Sequence, residues 1–143
     1  MTPSAKVFFE EVRAVYAETA ATLGLSGPAE TEQVLPASTY KDGGVAYEVV
    51  LDFGEGAVEC QVRLRTDSVT LTVDIEPLAI AVGVVEKRGG ISYSARNLKQ
   101  MRKSLQGQAD YVQRVHPFLT DADAAEELIR QAGAREWSQD GTQ

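Results

Sequence analysis

The feature that most constrains this chain is an alternation of apolar and polar residues from Val45 to Glu76, carried through three successive runs. A period of two is what an extended strand with one buried face requires. In the first run Tyr47, Val49, Leu51 and Phe53 share a face, while Glu48, Val50 and Asp52 share the other. In the second, Val58, Cys60, Val62 and Leu64 alternate with Glu59, Gln61, Arg63 and Arg65. In the third, Val69, Leu71, Val73 and Ile75 alternate with Thr70, Thr72, Asp74 and Glu76. The breaks at Gly54-Glu55-Gly56 and Thr66-Asp67-Ser68 are short and turn-forming, so neighbouring runs pair as hairpins and the three make an antiparallel meander.

A sheet with one apolar face needs a cover, and the flanks supply helices. Phe8, Val12, Val15, Tyr16, Ala20 and Leu23 recur at three and four positions, with Ser4 placed to cap the first turn and Gly24 to end the helix. Leu25 to Gly44 is rich in Gly, Pro, Ser and Thr and reads as a long connection, with at most a short edge strand at Gln33 to Leu35. Leu78 to Val85 is apolar throughout and has no readable period. Pro77 before it and Glu86-Lys87-Arg88-Gly89-Gly90 after it favour a short buried helix over a fourth strand. Ile91 to Tyr93 reads as a further short strand. Ser94 or Asn97 then opens a helix carrying Leu98, Met101, Leu105, Ala109, Val112 and Val115 and stopped by Pro117. A last helix runs from Thr120 to Gly133, with Ala124, Leu128, Ile129 and Ala132 as its apolar side. The expectation is one α+β domain over residues 1–137: an N-terminal helix packed on an antiparallel β-meander of three strands, or four if Leu78 to Val85 is extended, followed by two C-terminal helices. Residues 138–143 form a polar tail.

Composition narrows the function classes. At 143 residues, 43% hydrophobic and 24% charged, the chain suits a single globular core without staples. A net charge of -7 disfavours nucleic acid and anionic membrane as partners, because phosphate-tracking surfaces are basic. The longest apolar run is far short of the ~20 residues that span a bilayer. One cysteine and no leader-like start make a cytoplasmic location the expectation.

Nothing in the chain reads as catalytic, cofactor-binding or metal-binding. Nucleophilic catalysis needs a base, and the sole histidine, His116, precedes Pro117 at a helix end, where a structural role is expected. Cys60 falls on the apolar face, where a thiol behaves as a small hydrophobe. One Cys and one His are too few for zinc. Asp121, Asp123, Glu126 and Glu127 match no calcium loop and suit a capped helix start. Glu48, Asp52, Glu59 and Asp74 share the polar face of the meander, where pairing with Arg63 and Arg65 is the simplest reading. Gly83 and Gly89-Gly90 lack the spacing of a phosphate loop.

One asymmetry of charge remains. Lys87, Arg88, Arg96, Lys99, Arg102 and Lys103 hold six of the fourteen bases in one short stretch with no acid among them. They are the partner-binding candidates. The expectation is a non-enzymatic interaction module, adaptor-, immunity- or chaperone-like, that binds another protein or itself as a homodimer, through the sheet surface or this basic helix. An exposed strand edge, or Tyr40, Tyr47, Tyr93 and Tyr111, is read as added contact area. The alternative is a small-ligand binder or carboxylate-based enzyme using Glu48 or Glu59 with Arg63, its pocket between the sheet and the second helix.

Overall fold

A computed structural model describes residues 2–138. Among these the chain forms α1 (Ala5–Leu23), β1 (Ser26–Thr31), β2 (Ala37–Asp42), β3 (Val45–Asp52), β4 (Ala57–Arg65), β5 (Val69–Asp74), α2 (Ile75–Ala81), α3 (Leu98–Val115), a 3-10 turn (His116–Leu119), α4 (Ala122–Gln131) and β6 (Arg135–Ser138). The strands build one antiparallel sheet in chain order, β1-β2-β3-β4-β5-β6. The class is α+β as expected, but with six strands rather than three or four.

Local chemistry accounts for the helix limits. The Ser4 hydroxyl accepts from Val7 N, and Gly24 closes α1 at φ 72°, a conformation that glycine adopts without steric cost. Asn97 caps α3 by accepting from Gln100 N, and Asp121 caps α4 by accepting from Ala124 N. Pro117 turns the chain out of α3 into the 3-10 turn.

Five expectations are corrected. Residues 25–44 are no open connection but the β1–β2 hairpin, hidden because β1 is exposed along nearly its whole length and so shows no alternation. The segment Gln33 to Leu35 is the turn between these strands. The third run stops at Asp74, and Ile75 and Glu76 already belong to α2, so the helix begins before Pro77 and ends at Ala81. Ile91 to Tyr93 is irregular; its neighbour Ser94 bridges Ala57, and Tyr93 O accepts from Val58 N where β5 has left the sheet. Finally, β6 pairs with β5 and takes Ser138 out of the expected tail, of which residues 139–143 lie outside the described chain.

Parity decides the two faces of the sheet. Tyr40, Val45, Tyr47, Val49, Leu51, Val58, Cys60, Val62, Leu64, Leu71 and Val73 point inward and are buried, and α1 to α4 all lie against that side. Phe53, expected among them, falls in the turn and is 46% exposed. From the helices come Phe8, Val12, Tyr16, Ile75, Leu78, Met101, Leu105, Val112 and Ile129, each with essentially no exposure. Each such large side chain contributes about 1.5–3 kcal/mol by leaving water. Gln108 joins the layers, its amide donating to Val58 O at 3.0 Å and to Ser92 O at 3.1 Å.

Candidate interaction surface

With every helix on one side, no helix among the described residues covers the other side of the sheet, and the register lays its residues out in rows across the strands. Lys41, Ala46, Arg63, Thr72 and Arg135 form one row. Beyond it, toward the β2–β3 turn, lie Arg65, Thr70 and Trp137. In the opposite direction come Thr39, Glu48, Gln61 and Asp74, then Ala37, Val50 and Glu59, then Asp52 and Ala57. The charges are therefore segregated. Lys41, Arg63, Arg65 and Arg135 occupy one half of the face, and Glu48, Asp52, Glu59 and Asp74 the other. Apolar surface is interspersed at half-buried Val50 and at Trp137, the latter 39% exposed.

Where the halves meet, Arg63 reaches Glu48 across the strands at 3.1 Å. Deeper in the acidic half, partial burial together with Asp74, Asp52 and Glu55 pushes the Glu59 carboxyl above its ordinary value. The acidic half thus carries repulsion that a nearby cation would relieve. On the basic half, Lys41, Ala46, Arg63, Arg65, Thr70 and Ser138 line a shallow depression against Gly43 and Gly44.

The β1 edge is a poor site for a partner strand. Pro28 removes a donor from β1, and the β1–β2 register shifts between Ser26 and Ala29.

The six basic candidates do not converge on one patch. Lys99, Arg102 and Lys103 lie beside a depression on α3 with Leu98 and Gln106, and Arg102 is held by a two-pronged pair to Glu11 of α1 at 2.9 Å. Arg96 lies over Gly56 near Thr2 and Phe53. Arg88 sits elsewhere, near Asp74 and Arg135, and Lys87 is exposed in the loop after α2.

Glu48, Glu59 and Arg63 also stand apart from α3. Their parity sends them to the uncovered face, while the space under α3 is filled by Val58, Met101, Leu105 and Gln108. The residues of the carboxylate alternative therefore lie on the opposite side of the sheet from the pocket imagined for them.

Two polar clusters are buried instead. His116 is 3% exposed; its Nε2 donates to Asp42 Oδ2 at 2.8 Å, and its Nδ1 accepts from the Tyr47 hydroxyl at 2.5 Å. Asp42 only accepts, which places the ring proton on Nε2. The order resembles nucleophile, base and orienter, but Tyr47 is sealed in the core with burial pushing its hydroxyl pKa far up, so no substrate reaches it. The cluster pins the β2–β3 hairpin to the end of α3. Glu76 acts similarly on the loop after α2, accepting from Gly89 N and the Tyr93 hydroxyl, each at 2.9 Å. Sequence reading missed both, since the partners lie far apart in the chain.

Cys60 is buried, and burial pushes its thiol up to about 12. Tyr40, Tyr47 and Tyr111 are buried and Tyr93 is bonded to Glu76, so the tyrosines are not the contact area expected of them. Among the described residues there is no group of three or more His, Cys, Asp or Glu placed to hold a metal, and no helix is long and apolar enough to cross a membrane.

Compared with known proteins, the chain matches no family model, no curated protein and no solved structure.

Proposed function

We propose that the protein is a non-enzymatic interaction module whose contact surface is the uncovered face of its sheet. The observation that carries this reading is the segregation of charge on that face: four cations on one half with Trp137 among them, and four carboxylates on the other with Val50 among them. Separated charges of this kind orient an incoming protein surface and speed its encounter. The only histidine and the only cysteine are both occupied in the core, so neither serves chemistry at this surface.

The test places a bulky charge at the middle of the face. In Gln61→Arg/Thr72→Arg, both side chains sit on the uncovered side, so the fold should remain and its melting temperature should stay close to that of the parent. Protein captured from native lysate, or bound as a second copy, should be lost. If binding survives and is abolished instead by Lys99→Glu/Lys103→Glu on α3, the contact surface is the basic helix and this reading falls.

A further inference from the structure

Resting on that reading, we infer that the occupant of the open face is a second copy of this chain, turned by a two-fold axis that crosses the strands between the two sheets. That axis reverses the strand direction of the second copy. Its half bearing Lys41, Arg63, Arg65 and Arg135 then covers the half of the first that bears Glu48, Asp52, Glu59 and Asp74, and the reverse contact forms at the same time. A two-fold axis along the strands would set like charge on like, which selects one arrangement of the two.

Area and shape allow this pairing. Strands about 4.8 Å apart give a six-stranded sheet a width of ~24 Å, and an eight-residue strand such as β3 runs ~26 Å. The plane so defined is ~600 Å², close to the ~800 Å² that each partner of a stable interface contributes. Two sheets packed this way lie ~10 Å apart, room for Arg63 and Arg65 to reach the acidic rows opposite. Glu59, crowded by Asp74, Asp52 and Glu55, gains the cation that its own sheet does not bring it. Pro28 and the register shift in β1 steer association away from that edge and onto the face.

The experiment is a charge exchange read by sedimentation on the full chain. One variant, Lys41→Glu/Arg135→Glu, makes the basic half neutral; the other, Glu59→Lys/Asp74→Lys, makes the acidic half neutral. The parent should sediment as a dimer whose dissociation constant rises at least about tenfold from low to high salt. Each variant alone should be monomeric while keeping the circular dichroism of the parent, and an equimolar mixture should form a heterodimer. A parent that stays monomeric, variants that dimerise like the parent, or a mixture that fails to pair would each overturn the inference. A monomeric parent that still captures a different protein through Gln61 and Thr72 sinks only the self-pairing. If that capture also ignores the face, the proposed function falls with it.

Discussion

His116 Nδ1 accepts from the Tyr47 hydroxyl across 2.5 Å, with the two rings edge to face at 5.5 Å between centroids. This contact joins residues 69 positions apart and ties a central strand to the end of α3. Replacing either partner strands the other in the core. His116→Leu and Tyr47→Phe should each cost about 1–3 kcal/mol in urea unfolding, the usual penalty of a buried unpaired polar group. The double variant should cost less than the sum of the two, because neither polar atom is then left behind.

Tyr16 makes the opposite case. Its hydroxyl is buried with no partner better than the weakly polar thiol of Cys60, and its ring stacks on Tyr40 at 5.4 Å. Tyr16→Phe keeps the stacking and removes a poorly satisfied group. Its stability should lie within about 0.5 kcal/mol of the parent or above it, in contrast to Tyr47→Phe.

High pH should unfold the protein cooperatively. Burial raises Cys60 and Tyr40 to about 12 and pushes Tyr16 and Tyr47 up as well. In the unfolded chain these groups ionise near ~8.5 and ~10. The folded state therefore binds their protons more tightly. The stability this contributes is fully present below about pH 8.5 and is lost as pH climbs toward 12. Absorbance of tyrosinate should rise together with the loss of circular dichroism, and a thiol reagent should meet Cys60 only in that same transition.

Gly27 sits at φ 129° in β1, and a β-carbon there would lie 2.6 Å from Thr39 O. Gly27→Ala should cost about 1–3 kcal/mol and speed amide exchange most in β1 and β2.

The meander, the capped helices at Ser4 and Asn97, and the buried place of Cys60 were legible because each is a local pattern. The β1–β2 hairpin was not, because an edge strand exposed on both sides, such as Ser26–Thr31, lacks the period that burial imposes. The inward face of β2 carries Ser38 and Asp42 beside Tyr40, so its alternation is not one of apolar and polar residues. Ile75 fitted the strand period of the third run equally well as the opening of α2. For the surface, the sequence placed Glu48, Glu59, Arg63 and Asp74 on a common polar face, but its division into halves depends on cross-strand register, which periodicity does not carry. The basic stretch was contiguous in sequence and dispersed by the fold.

On the proposed pairing, the open face of the sheet is a contact surface that a second copy covers. Gln61 lies near the middle of that face, and Cys60, its neighbour in the chain, is buried and should not react with a thiol reagent while the fold is intact. The most direct measurement is the alkylation rate of Gln61→Cys across a wide range of protein concentration. The rate should fall as concentration rises and recover when salt is added. A rate that stays constant with concentration, with the variant as well folded as the parent, would rule the pairing out.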